Sequence, residues 1–387
     1  MKVVLSIQSL KYPLTGIGRY TLELARRLET HPDIEELSYF NGERFVPGLP
    51  TQDAMETAPG GFSTGVAQFK RTLARNRLVL ETYRTLKAMR PTRPFRAHAG
   101  QLFHGPNFYV PDFPGPSVVT IHDLSVLTMP QFHPPERVMY LSKEIEQSIR
   151  RATKVVVDAT AIRDEVIAKF GVAPEHIHIA PLAGGAEFHP RSSEEIAPVL
   201  ATYGLNHGGY VLYTGTIEPR KNLVTLLDAY AHLPAAARET MPLVMAGHRG
   251  WQNEAIMDRI ERGTREGWVK YLGFVPEEHL PLLFSGARLF VFPSLYEGFG
   301  LPVLEALASG VPVVTSTSST LPEVGGDAAL FVDPQDGEGL TAAIAQGLYD
   351  EDWRQGAIAR GHAHAGRFSW DRCASETISA YRAATAQ

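Results

Sequence analysis

The sequence predicts an α/β protein of two domains, each a parallel sheet covered by helices, and three observations carry that expectation. Short apolar segments alternate with longer helical patterns along most of the 387 residues, the rhythm of parallel strands joined by crossover helices. The strand series pauses near residue 180 and restarts at 210. Between the two series runs Pro181-Leu182-Ala183-Gly184-Gly185-Ala186-Glu187-Phe188-His189-Pro190, rich in Gly and Pro and without either period, which reads as an interdomain linker. The domains are accordingly placed at 1–183 and 190–369, and a terminal helix at 370–387, unable to extend the second sheet, is expected to pack back on the first domain.

Taken in order, strands are expected at 3–7, 102–104, 118–121, 154–157 and 177–180 in the first domain. In the second they are expected at 210–214, 243–246, 269–272, 289–292, 311–315 and 329–332. Each is a short, nearly continuous apolar run, the pattern of a strand buried on both faces. The first strand leads through Thr15-Gly16-Ile17-Gly18-Arg19-Tyr20 into a helix expected at 21–28. Residues 52–65 have no period and few large apolar side chains, and read as a loop. Residues 70–96 carry nine basic residues against Glu81, a local excess of +8 that leaves −13 for the rest of a chain whose net charge is −5. Leu73, Val79, Leu80, Tyr83 and Leu86 give this stretch an apolar stripe beside the basic one, suited to an anionic membrane surface or to an ordinary solvated helix face.

Composition narrows the function. With 44% hydrophobic and 20% charged residues the chain is neither disordered nor fibrous. Its one cysteine, Cys373, cannot form an internal disulfide, which favours a reducing cytoplasm. No apolar run approaches the ~20 residues that span a bilayer, and the amino terminus reads as a strand and not as a signal peptide. The acidic balance argues against a nucleic-acid partner.

Three turns carry chemistry. Gly16 and Gly18 precede a helix whose free amides suit a phosphate or sugar, but the third glycine of a dinucleotide fingerprint is missing. After the 210–214 strand, Gly215-Thr216-Ile217-Glu218-Pro219-Arg220-Lys221-Asn222 places two adjacent cations where α/β sheets bind ligands, fit either for a diphosphate or for a solvated turn. After the 289–292 strand come Glu297-Gly298-Phe299-Gly300-Leu301-Pro302-Val303-Leu304-Glu305. Pro302 suits the first turn of a helix. Glu297 is expected just before that helix, Glu305 about two turns inside it, buried among apolar neighbours and in need of a partner. Glu297 and Lys221 are expected at ligand-facing strand ends and not in the core. Asp350-Glu351-Asp352 has the acid-x-acid form of a metal site, yet it stands between helical patterns and reads as a helix cap; no metal site is expected.

The Glu297 to Glu305 segment resembles the signature of glycosyltransferase family 4, retaining enzymes of the GT-B fold. Gly16-Ile17-Gly18-Arg19-Tyr20, His122-Asp123, Gly215 through Asn222, Gly247-His248-Arg249-Gly250-Trp251, Gly273-Phe274-Val275-Pro276 and Ser309-Gly310-Val311-Pro312-Val313 look like further landmarks of that family, in order along the chain. The resemblance implies two Rossmann-like domains facing across a cleft. It implies that Glu297 contacts the donor hexose, Glu305 the ribose, and Arg220 and Lys221 the diphosphate. Backbone of Phe299, Gly300 and Leu301 would hold sugar or phosphate, backbone near Phe274 and Val275 the base, and Gly215 would belong to the same nucleotide site. His122 would reach the hexose from the first domain, with Gly16 and Gly18 opposite the phosphates. Two positions depart: Thr216 stands where many relatives have an Arg on the diphosphate, leaving that charge to Arg220 or Arg249, and Asp158 stands where relatives often have Ser.

The same motifs, with Phe103-His104-Gly105-Pro106-Asn107, are similar to bacterial mannosyltransferases of O-antigen and other surface-polysaccharide assembly. They imply a nucleotide-sugar donor, GDP-mannose first, then GDP-rhamnose or a UDP-sugar, and a saccharide or lipid-linked acceptor. No separate cofactor is implied. Retention in the family is ascribed to front-face attack, the leaving phosphate taking the acceptor proton. A noncatalytic nucleotide-binding scaffold is the competing class. The expected location is the cytoplasm, with contact to the inner face of the membrane through residues 70–96.

Overall fold

A computed structural model describes residues 1–12, 14–50 and 93–386. The loop expected at 52–65 and nearly all of the basic stretch 70–96 lie outside the described residues; of the latter, Arg93–Arg96 form one helical turn.

The chain divides into two compact units. The first comprises Met1–Asp158, Arg163–Ala180 and Trp370–Gln387, the second Ala159–Ile162 and Pro181–Ser369. In the first, seven strands lie in the order β3-β2-β1-β4-β5-β6-β7, with β1 at Lys2–Ser6, β2 at Glu36–Phe40, β3 at Phe45–Val46, β4 at Leu102–Gly105, β5 at Ser117–Ile121, β6 at Lys154–Val157 and β7 at Ile177–Ile179. All pairings are parallel except β2 with β3. In the second, six parallel strands lie in the order β10-β9-β8-β11-β12-β13, with β8 at Val211–Thr214, β9 at Leu243–Ala246, β10 at Val269–Gly273, β11 at Leu289–Phe292, β12 at Val313–Ser316 and β13 at Ala329–Val332.

Two strands, β2 and β3, were not expected. Glu36-Leu37-Ser38-Tyr39-Phe40 is polar at one end and half-buried, and Phe45-Val46 is too short to show a period. By contrast β4, β5, β6, β8, β9, β11 and β12 are buried along their whole length, as strands covered on both faces must be. Residues 311 and 312 do not join β12, because the Val311 amide instead closes the preceding helix on Ala306.

The helix Trp370–Thr385 packs in the first unit, burying Trp370, Cys373, Ile378 and Tyr381. Asp350 caps the helix Glu351–Ala365, accepting from the Trp353 amide at 3.0 Å. Among the described residues no helix is long and apolar enough to cross a membrane.

Each sheet has one point where the chain reverses its direction of growth, between β1 and β4 in the first unit and between β8 and β11 in the second. Loops leaving the carboxyl ends of the two strands at such a point diverge to opposite faces of the sheet and leave a crevice between them. The predicted chemistry concentrates at these two points.

Candidate functional site

In the second unit the loops after β8 and β11 are tied to each other before any ligand enters. The carbonyl of Gly215 approaches Gly247 so closely that a Cβ there would collide with it, and Gly215 itself sits at φ 142°, where side chains are strained. The chain then makes a short 3-10 turn, Pro219–Lys221, ended by Asn222 in the left-handed region at φ 59°. The Asn222 side-chain amide donates to the carbonyls of Pro293 (3.1 Å) and Pro334 (2.7 Å), and the Leu295 amide donates to the Arg220 carbonyl at 2.9 Å. From the other side, Ser319 and Thr320 hydroxyls donate to the Glu297 carbonyl.

These ties bring Arg220, Lys221 and Glu297 together across 76 residues of sequence. Lys221 Nζ donates to Glu297 Oε1 at 2.6 Å, and Arg220 Nη1 lies 3.2 Å from Oε2. Arg220 also donates to the Tyr296 carbonyl and, at 2.7 Å, to Glu218. Lys221 rests over the Phe292 ring, 4.8 Å from its centroid, a cation–π contact. Glu297 is only 7% exposed and Lys221 9%, so both stand at the expected strand ends but are buried, contrary to the expectation that they lie outside the core. The reason is mutual: two cations and two carboxylates, Glu218 included, balance their charge and make burial tolerable. Burial alone would raise the Glu297 carboxyl, but the cations of Lys221 and Arg220 outweigh it and hold its pKa at about 2. Burial pulls the Lys221 ammonium down, with Glu297 opposing.

Glu218 was not singled out in the sequence as a site residue. It is buried and serves as the second counter-ion of Arg220, a role that no local pattern announces.

Past Glu297 the chain enters the helix Leu301–Ala308 through Gly300 at φ 107°. Among the described residues, none of the amides of Gly298, Phe299, Gly300 and Leu301 donates to a backbone carbonyl. Phe299 itself is buried, edge-on to Phe368, so only its backbone faces the turn. Glu305 corrects the expectation in two ways. It lies in the second turn of the helix, not two turns in, and it is half-exposed, on the stripe of Leu301, Pro302 and Ala308. At the end of β10, two strands from β8, Phe274 is 64% exposed whereas Val275 is buried. Thr216 faces His248, with Oγ1 and Nε2 3.4 Å apart.

In the first unit the helix begins at Gly16, not at residue 21, so Gly16 and Gly18 are helical. Thr15 caps it, accepting from the Gly18 amide at 3.2 Å. A Cβ at Gly18 would lie 3.3 Å from the Leu14 side chain and 3.4 Å from the Ser9 carbonyl, so the helix start is tightly packed there. His122, at the end of β5, has a partner at each ring nitrogen: Nδ1 lies 2.7 Å from Asp158 Oδ2, and Nε2 lies 2.9 Å from the Pro106 carbonyl. A hexose hydroxyl at Nε2 would have to replace that carbonyl.

Residues 205–363 match the family described as glycosyl transferases group 1. Over 382 residues the chain is 44% identical to O-antigen chain mannosyltransferase B of Escherichia coli, covering 99% of this chain and 100% of that protein. It is 31% identical over 275 residues to serotype-specific mannosyltransferase WbdA of Escherichia coli, which covers 69% of this chain and 33% of the relative. Among solved structures, sucrose-phosphate synthase from Thermosynechococcus elongatus superposes with a TM-score of 0.69 at 20% identity, covering 99% of this chain and 98% of that one. That likeness concerns the fold.

Proposed function

The chain belongs to the group 1 glycosyl transferases, and from that premise we propose that it moves mannose from GDP-mannose to a saccharide or lipid-linked saccharide acceptor, with retention, in assembly of a surface polysaccharide of the O-antigen kind. The observation that carries this reading is the full-length similarity to a mannosyltransferase of O-antigen chains, and the cluster of buried Glu297 and Lys221 with half-buried Arg220 at a sheet's switch point supports it.

The chemistry asked of the site is departure of a nucleoside diphosphate. The bond from the anomeric carbon to the β-phosphate oxygen breaks, negative charge gathers on the phosphate and positive charge on the carbon. Lys221, Arg220 and the free amides of Gly298–Leu301 stabilise the phosphate without reorganising, because salt bridges and loop ties already fix them. Glu297 presents its carboxylate to the hexose side, ionised throughout the neutral range. The acceptor hydroxyl attacks from the face the phosphate leaves, and the phosphate oxygen takes its proton. The balanced charges of Glu297 and Glu218 mean that part of the diphosphate charge falls to the turn amides and to the His248-Arg249 segment beside Thr216. We place the protein in the cytoplasm, where the donor is found; for a lipid-linked acceptor, residues 70–96 supply the attraction to an anionic surface.

The deciding experiment incubates the protein with an acceptor glycan and GDP-mannose, GDP-rhamnose or UDP-glucose. Release of GDP with a mannosylated product is expected; preference for a UDP-sugar, or nucleotide binding without product, would sink the reading. Turnover is expected to persist in excess EDTA, since fixed protein charges meet the phosphate; loss that Mg²⁺ or Mn²⁺ restores would refute this. Glu305→Ala should weaken GDP affinity about tenfold, the scale of one charged hydrogen bond, with little change in melting temperature because Glu305 is half-exposed. Calorimetry that finds equal affinity removes Glu305 from the ribose.

A further inference from the structure

His122 joins three neighbouring strand ends. It follows β5, its Nδ1 meets Asp158 just past β6, and its Nε2 meets the carbonyl of Pro106 just past β4; β4, β5 and β6 are adjacent in the sheet. A carbonyl only accepts, so Nε2 carries a proton. Asp158 is 1% exposed, and its second oxygen has no hydrogen-bond partner among the described residues. His122 is thus the one hydrogen-bond partner Asp158 has there.

The segment that His122 anchors is strained and held at several points. A Cβ at Gly105 would collide with the Tyr109 carbonyl, and Phe108 stands at φ 54°, a conformation strained for a bulky residue. The Phe108 amide donates to the Thr120 carbonyl at 3.1 Å and the Val110 amide to Ser148 Oγ at 3.0 Å. Residues 105–109 form one wall of a 340 Å³ pocket at the β1/β4 switch point. Gln8, Ser9, Lys11, Thr15, Tyr140 and Glu144 are among the residues that line the rest, a mixture of polar, charged and aromatic groups suited to a sugar ring.

We infer that Asp158 is a positioning residue: it holds His122 with both ring nitrogens donating, so that the Pro106 carbonyl, and with it the wall 105–109, keeps one position for the acceptor sugar. His122 in this arrangement is a fixed cationic brace and not a base. Every neighbour fits that state. Tyr20 meets the ring edge-on at 4.8 Å. Asp123 is occupied by the amide and hydroxyl of Ser125 and adds a favourable field. Phe108 also lies roughly perpendicular to the ring, with centroids 6.4 Å apart. Against these, the buried His104 on β4 holds its own protonation low, its nitrogens engaged by Thr120 and Tyr381, and Cys373 from the terminal helix stays a thiol, pushed up by burial and by Asp158. Burial opposes charge on both partners, raising the Asp158 carboxyl, while Asp158 raises the His122 imidazole against it; the N–H that Nε2 gives to the Pro106 carbonyl, with Nδ1 on the carboxylate, is the geometry that favours the charged pair.

The acceptor role rests on the proposed function, so the test has an arm independent of it. Nitrogen-15 spectra of the imidazoles, with His122 identified among the fourteen histidines by its loss in His122→Gln, are expected to show both of its nitrogens still protonated at pH values where an ordinary imidazole of pKa ~6.5 is already neutral. Asp158→Asn should let the second proton leave at lower pH than in the wild type, because the carboxylate no longer opposes the effect of burial. In that variant the acceptor KM should rise about tenfold, with kcat and GDP affinity within about twofold, and Asp158→Glu should restore the second N–H and part of the affinity. Wild-type His122 titrating as an ordinary imidazole overturns the inference. So does an Asp158→Asn protein that melts earlier but keeps its acceptor KM. Failure of the wild type to form any product counts against the proposed function instead, and the spectra still decide the brace.

Discussion

Glu297→Gln is expected to lower transfer about a hundred- to a thousandfold, the cost of removing one preorganised charge from a site where charge develops. Donor binding should survive, since Lys221 and Arg220 remain to meet the diphosphate. The glutamine keeps the volume and an acceptor for Lys221 Nζ, now 2.6 Å from Oε1. Glu297→Ala would cost more than activity. It leaves the buried Lys221 and the half-buried Arg220 with Glu218 as their remaining counter-ion, and breaking a buried pair in this way typically destabilises by about 3–5 kcal/mol. The acid dependence has a definite sign. The folded-state pKa of Glu297, about 2, lies below the ordinary 4.5; its stabilising share is therefore complete above 4.5 and is lost as pH falls through about 2. Urea unfolding at pH 7 and pH 3 should show a smaller pH difference in Glu297→Gln than in the wild type. Full transfer by the glutamine variant at normal stability would falsify the site.

What was legible in the sequence follows from how each feature is encoded. Most of the expected strands were readable because parallel strands buried on both faces are continuous apolar runs, as in Phe290-Val291-Phe292; β13 is half-buried but still apolar in sequence, Ala329-Leu330-Phe331-Val332. β2 fails that test, since Glu36 is exposed and Leu37 and Ser38 are half-buried. The two-domain reading rested on the same runs and on the Gly-Pro segment at 181–190. Site residues were found through motif resemblance, which names residues but not their surroundings. It pointed to Glu297 and Lys221 without indicating that each is buried by the other, because a contact across 76 residues leaves no local trace. Counter-ions are the least legible of all. Glu218 and Asp158 look like turn and strand-end acids until the fold sets one on Arg220 and the other on His122. Glu305 was misjudged for a related reason: its neighbours in sequence are apolar, but helical geometry turns position 305 to the side shared by Leu301, Pro302 and Ala308.

Lys221→Met is expected to have an effect of the same order as Glu297→Gln, and to differ from it in kind. The methionine keeps an apolar stem over Phe292 and removes only the charge. Donor affinity should fall along with turnover, because in the proposed reaction the ammonium meets the phosphate in the ground state and in the transition state, whereas Glu297→Gln should act mainly on turnover. With Lys221 gone, Glu297 retains Arg220 at 3.2 Å as its cation. Its carboxyl then rises from about 2 toward the ordinary value, so the acid limb of unfolding should move to higher pH. Because the two side chains are in direct contact, their effects should not add. Combining both substitutions is expected to cost less stability than the sum of the single changes, since neither charge is then left without the other. Measured by urea unfolding at pH 7, strict additivity would mean that Lys221 and Glu297 do not act as a pair.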